Sequence, residues 1–341
     1  MRLLLTGHKG YIGTVMLPML QAAGHEVVGL DSDLFRNSTY GELHQSIPEL
    51  IKDVRDVEKA DLAGIEGIVH LAGLSNDLLG DLNPDLTYEI NHRASVRLAE
   101  MARELGIRRY VFASSCSNYG AAGDEMMTET AELNPVTAYA KSKVMVETDV
   151  RKLASDDFSP TFMRNATAYG MSPRIRFDVV LNNLTAWAYT TGKVYLKSDG
   201  TPWRPLVHIE DISRAVIAAL AAPRERVHNE SFNVGRNSEN FRIRELAEFV
   251  RDTVPNCDLS FADGAEPDAR NYRVDFGKYA ATFPEHELTW GALDGVRSIY
   301  ESYQRIGLSK DDYEGPQYKR IAQLKGLLAS GQLDNSLRWQ A

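Results

Sequence analysis

Three glycines at a spacing of three, Gly7, Gly10 and Gly13, separate a short apolar run from an amphipathic stretch. The run Arg2 to Thr6 reads as a buried strand. Tyr11 to Ala23 has helical spacing (Ile12, Val15, Met16, Met19, Leu20) and stops at Gly24. A glycine turn between strand and helix is a demanding junction. Gly7 permits the tight turn, Gly10 lets a pyrophosphate approach the backbone at the helix N-terminus, and Gly13 allows close helix–sheet packing. A second strand, Glu26 to Leu30, ends at Asp31, where an acidic side chain would bind a ribose 2′-hydroxyl and repel a 2′-phosphate. The junction predicts an NAD-type dinucleotide held by Gly7, Gly10, Tyr11, Ile12, Gly13 and Asp31. The nearby cations Lys9 and Arg36 leave a 2′-phosphate open as the alternative; their plainer reading is solvated surface charge.

The remaining rhythm extends this pattern. Glu49 to Ile51, Gly67 to Leu71, Arg109 to Ala113, Pro160 to Arg164 and Phe232 to Val234 are strand candidates. Leu82 to Leu105 and Ala138 to Leu153 are helical between them. Alternation of this kind predicts an α/β fold, a doubly wound parallel sheet with helices on both faces. After about residue 170 the elements shorten and Pro, Arg and aromatic residues increase. Phe177 to Thr191, Ile209 to Leu220, Ile243 to Val254 and Leu293 to Ile306 are predicted helices. The expected organisation is a Rossmann-type domain over 1–170, rejoined by about 206–240. A smaller α/β cap domain and a C-terminal tail then occupy 171–205 and 241–341. The tail from Tyr313 to Ala341 is helical and charged, with no assignable chemistry.

Composition narrows the function. The 341 residues carry 38 Lys+Arg against 47 Asp+Glu, a net charge of −9. A net acidic chain without a long basic run is a poor partner for nucleic acid, although a few convergent cations can still hold a small anion. Cys116 and Cys257 form no CxxC or Cys/His cluster, so neither a disulfide framework nor a metal site is expected. No apolar run approaches the ~18 residues of a membrane span. Met1 leads directly into Leu3-Leu4-Leu5 with no leader pattern, so a cytoplasmic enzyme is expected.

Two further clusters carry chemistry. Tyr139 and Lys143 stand four apart near a helix start and share a face. An ammonium beside a phenol favours the phenolate, which would make Tyr139 a general base near neutral pH. The stretch Val111-Phe112-Ala113-Ser114-Ser115-Cys116-Ser117-Asn118-Tyr119-Gly120 places polar residues at a strand's C-terminal end, where open α/β sheets build their sites.

At these residues the chain resembles the extended short-chain dehydrogenase/reductase family of nucleotide-sugar epimerases and dehydratases. The glycine turn, Asp31, His70-Leu71-Ala72-Gly73, the Ser115 region and Tyr139-x-x-x-Lys143 fall in that family's order, over about residues 1 to 280. The resemblance implies that Ser115 aligns the sugar oxygen being oxidised, Tyr139 is the base and Lys143 its partner and a ligand of the nicotinamide ribose. It implies that Asp53 and Val54 flank the adenine and that Leu71, Ala72 and Gly73 wall the cofactor. It also implies that Asn91 supports the central helix and, with Ser114 and Asn165, belongs to the cofactor set. For a nucleotide-diphosphate sugar it implies Ser75, Ser115, Ser117, Thr167, Arg176, Asn183, Arg204 and Arg270, with Arg174 a further candidate. A homodimer through Leu86–Leu105 and Ala138–Leu153 is implied as well.

Departures from the family pattern are informative. Family 4,6-dehydratases carry Asp-Glu directly after the catalytic Ser/Thr, and the decarboxylases carry an acid at the second of those positions. Here Cys116 and Ser117 stand there. Ser75 replaces a lysine frequent in galactose epimerases. The expectation is an NAD-dependent nucleotide-sugar epimerase acting at C4. The alternatives are a ketoreductase, a dehydratase recruiting Cys116, or a non-catalytic NAD sensor.

Overall fold

The computed structural model describes residues 1–340 apart from 42, 44, 45, 76, 81, 121–124, 197 and 263–270. Seven strands form one sheet: β1 (Arg2–Thr6), β2 (Glu26–Asp31), β3 (Glu49–Ile51), β4 (Gly67–His70), β5 (Arg109–Ser115), β6 (Ser159–Asn165) and β7 (Glu230–Val234). Their spatial order is β7-β6-β5-β4-β1-β2-β3 and every pairing is parallel. Leu3, Leu4 and Leu5 of β1 are fully buried, as expected for a central strand covered on both faces. The chain runs outward in opposite directions from β1 and β4, so a crevice opens at their C-terminal ends.

The first helix, α1 (Gly13–Ala22), begins later than its apolar spacing suggests, because the glycine turn consumes Tyr11 and Ile12. The predicted helix over 82–105 is three pieces. Pro84–Thr87 is capped by Asn83, Tyr88–Arg93 is a wider π-type turn, and α2 is Ala94–Glu104. Strand β5 extends two residues beyond expectation, so Ser114 and Ser115 leave the sheet in extended backbone. Helix α3 (Ala138–Arg151) packs beside it.

Smaller sheets frame the other side of the crevice. Trp203–His208 pairs with Thr167–Tyr169 and with Asn240–Arg242, and Lys193–Leu196 pairs with Asp258–Phe261. Their core is separate, with Ile175, Leu184, Leu246 and Val296 among its buried members. The C-terminal tail is part of the folded body: Leu324, Leu327, Leu333 and Leu337 share a buried cluster with Leu4, Val28 and Tyr110.

Candidate active site

The crevice is a cleft of about 550 Å³ lined from both sheets. Its dinucleotide end is the glycine turn. Gly7 has φ +76°, and a Cβ there would stand 2.9 Å from the Ala72 nitrogen. A Cβ on Gly13 would meet the Gly7 oxygen at 2.1 Å, so neither position admits a larger residue. Gly10 N–H closes the turn on the Gly7 carbonyl at 3.0 Å. Asp31 accepts the backbone N–H of Lys9 at 2.9 Å and of Asp33 at 2.8 Å, one on each carboxylate oxygen. Each oxygen keeps a lone pair for a ribose hydroxyl. Lys9 is not a free surface charge: its Nζ lies 3.4 Å from Asp33 and 3.1 Å from Glu49.

Asp53 and Val54 line the same end, and Asp53 is held by the Arg55 guanidinium at 2.7 Å. Leu71, Ala72 and Gly73 form the facing wall. Asn91 stands behind that wall and does not reach the cleft surface. Its Oδ1 accepts the Leu74 N–H at 2.7 Å, and its Nδ2 donates to the Leu74 carbonyl and to Ser142. It braces that wall. Gly7 and Gly13 positions closed to a Cβ, an Asp31 carboxylate with spare lone pairs and a buried Asn165 Oδ1 with no partner among the described residues together fit NAD.

Ser115, Tyr139 and Lys143 meet at the cleft floor. Thr137 caps α3 by accepting the Ala140 N–H, and donates to Asp77 Oδ1 at 2.7 Å, which fixes the turn carrying Tyr139. The Ser115 hydroxyl faces the Tyr139 phenol and favours its ionised form. The Ser115 oxygen in turn accepts the N–H and hydroxyl of Ser117 at 3.1 and 2.9 Å. Below them Glu147 accepts Ser114 at 2.6 Å and pairs with buried Arg164 at 2.7 Å, so the serine loop rests on a satisfied ionic base.

The downward shift of Tyr139 expected from Lys143 does not prevail in the cleft. Lys143 Nζ donates to the Ala113 carbonyl at 2.7 Å and lies 5.8 Å from the Tyr139 ring centroid. Burial pushes Tyr139 up to about 12, against the downward pull of Ser115 and Arg176. Burial also brings Lys143 down to about 8. Two desolvated groups each shift toward neutrality, and that outweighs their mutual attraction. Cys116 is fully buried, with its thiol on the Arg164 carbonyl at 3.1 Å, and burial raises its pKa well above the usual thiol range.

The opposite wall carries Ser75, Thr167, Arg176, Asn183 and Arg204. Arg176 bonds Ser75 at 3.0 Å and Asp178 at 2.8 and 2.9 Å. Asn183 Nδ2 donates to the Phe177 carbonyl at 2.6 Å, and Arg204 donates to the Trp203 carbonyl at 2.8 Å. Arg174 lies behind the cleft, paired with Asp33 at 3.0 Å. Arg270 falls outside the described residues. Two lining residues have no signal in the sequence. Asp77 sits in a short helix beside Tyr139, and Arg320 comes from the tail. No helix among the described residues is long and apolar enough to cross a membrane.

Residues 3–235 match the model of the NAD dependent epimerase/dehydratase family. The chain is 31% identical over 261 residues to the UDP-glucose 4-epimerase of Mycolicibacterium smegmatis, covering 72% of this chain and 80% of that protein. It is 26% identical over 328 residues to the UDP-glucose 4-epimerase of Bacillus subtilis, covering 88% and 94%. Its fold resembles the solved structure of an NAD dependent NDP-hexosamine 5,6-dehydratase of tunicamycin biosynthesis. The TM-score is 0.78 at 24% identity, covering 89% of this chain and 98% of that one. With the family model spanning the whole sheet and both halves of the cleft floor, this chain belongs to the NAD dependent epimerase/dehydratase family.

Proposed function

We propose that the protein is an NAD-dependent nucleotide-sugar epimerase that inverts C4 of a UDP-sugar through a transient 4-keto sugar. The observation that carries this reading is a Ser115–Tyr139–Lys143 set on the cleft floor with no carboxylate at the two positions after Ser115. NAD, when bound in the glycine-turn end of the cleft, would supply a reversible hydride acceptor. Tyr139 removes the sugar hydroxyl proton and later gives it back, and Ser115 holds the oxygen between those steps. Lys143 holds the nicotinamide ribose. Its charge, together with that of the oxidised ring, favours the phenolate that burial alone disfavours. Arg176, Asn183 and Arg204 hold the substrate diphosphate by charge-assisted and amide bonds. The sugar would turn over within the cleft between its two encounters with Tyr139.

Catalysis by a dehydratase route would need an acid beside Ser115. Cys116 is a poor one, because its thiol is sealed from the cleft and engaged by a carbonyl. The relatives named above support UDP as the nucleotide. A homodimer through α2 and α3 accompanies this reading, and half-exposed Met145 on α3 would be covered by it. The test is incubation of purified protein with UDP-, dTDP-, GDP- and CDP-hexoses, following the sugar protons by NMR. The C4 epimer should appear with UDP-sugars and be absent with Tyr139→Phe. Unchanged sugars across the panel would overturn the reading.

A further inference from the structure

The tail returns across the dinucleotide end of the cleft. Helix Arg320–Ala329 is anchored by Leu324 and Leu327 in the sheet core. Beyond it, the Ser336 carbonyl accepts Arg55 at 2.7 Å, and Arg338 pairs with Asp56 at 2.9 Å. Trp339 donates to the Ser32 carbonyl at 2.8 Å, and the Arg36 guanidinium lies 3.4 Å over its ring. The loops it grips, after β2 and β3, supply Ser32–Phe35, Asp53 and Val54 to the cleft wall.

Arg320 sits where this strap meets the cleft. It is 3% exposed and lines the cavity. Its guanidinium stacks 4.2 Å from the Phe35 centroid, and Nη2 donates to the Arg174 carbonyl at 2.8 Å. Nη1 is buried without a partner among the described residues. The neighbouring cations have carboxylates: Arg174 holds Asp33 at 3.0 Å and Arg176 holds Asp178 at 2.8 Å. Among the described residues Arg320 has no ion pair. Burial beside Arg174 and Arg176 lowers it to about 9, while Asp178 and Asp31 oppose the fall, so it stays cationic at neutral pH. A buried guanidinium with no carboxylate in contact is under-compensated until an anion arrives.

Two relationships locate that anion. Arg320 lines the same cleft as the glycine turn and Asp31, and its guanidinium covers Phe35, in the loop that follows the ribose position. The group lying between those points in a bound dinucleotide is its diphosphate. We propose that Arg320 binds the diphosphate of NAD, so that the C-terminal tail completes the cofactor site and retards cofactor release. This rests on the family's NAD dependence and is independent of which sugar reaction follows.

The test compares release of NAD⁺ from purified holoenzyme, at low and high salt, for the wild type, Arg320→Gln and Arg320→Lys, with UDP binding to the same preparations measured by calorimetry. Arg320→Gln should release NAD⁺ about tenfold faster or more, the loss of one charge-assisted contact. It should also show a shallower salt dependence than wild type. UDP affinity should be unchanged. Arg320→Lys should release NAD⁺ faster than wild type, since lysine lacks the planar fork; it serves alone if the glutamine variant does not fold. Release at the wild-type rate in either variant would overturn the proposal. So would faster release with an unaltered salt dependence, which would mark lost packing. Weakened UDP binding with NAD⁺ release unchanged would instead assign Arg320 to the substrate diphosphate and also overturn it.

Discussion

Lys143 Nζ donates to the Ala113 carbonyl at 2.7 Å and stands 5.8 Å from the Tyr139 ring centroid, so the strand that ends in Ser115 also positions the lysine opposite the base. Among the described residues the ammonium makes no ion pair, and burial draws it down to about 8 against the opposing pull of Glu147.

Replacing Lys143 with methionine should therefore separate activity from stability. Turnover should fall by about a hundredfold or more, the usual size of a lost acid–base contribution. The melting temperature should change little, because the cation removed is deeply desolvated and Glu147 offsets only part of that cost. Steady-state kinetics and calorimetry on one preparation check both. A large loss of stability with turnover retained would make Lys143 a structural residue.

Cys116→Ala addresses the dehydratase alternative. The buried thiol fills space and donates one weak bond to the Arg164 carbonyl, so its loss should cost about 1 kcal/mol of stability and leave kcat within a fewfold of wild type. A hundredfold fall in kcat with normal substrate binding would give the thiol a chemical role.

Two buried histidines predict the acid limb of the stability curve. His70 lies between Thr6 at 2.6 Å and Ser95 at 2.7 Å, and His208 stacks on Trp290 at 4.0 Å. Burial lowers both to about 3. Unfolded, each takes a proton near 6.5, so between about 6.5 and 3 the unfolded chain binds more protons. The stabilisation is present above about pH 6.5 and is lost as pH falls toward 3. At pH 5 the loss from His70 is about 2 kcal/mol. Denaturant titrations at pH 7 and 5 should show a smaller difference for His70→Gln than for wild type. An equal difference would mean that His70 carries none of it.

Much of this was legible from local pattern. Strands with continuous apolar runs and the strand–glycine–helix junction place the sheet and the dinucleotide end, because turn geometry and burial act within a few residues. The charge state of Tyr139 was not legible. Spacing brings Lys143 to its face, but whether proximity outweighs desolvation depends on how deeply both are buried. Asn91 reads as polar helix surface or support, and only its bonds to Leu74 and Ser142 place it behind the wall. Arg320 is invisible in the sequence, being one arginine in a charged tail about 290 residues from Asp31. Its meaning comes from chain return, which no local spacing encodes.

The central claim is tested most directly by turnover of a UDP-hexose in deuterium oxide, with the product analysed by mass spectrometry and proton NMR. The account predicts a product of unchanged mass with C4 inverted and no deuterium on carbon, because the hydrogen at C4 leaves and returns inside the cleft. A product lighter by one water or one carbon dioxide, or carrying solvent deuterium at a sugar carbon, would contradict it.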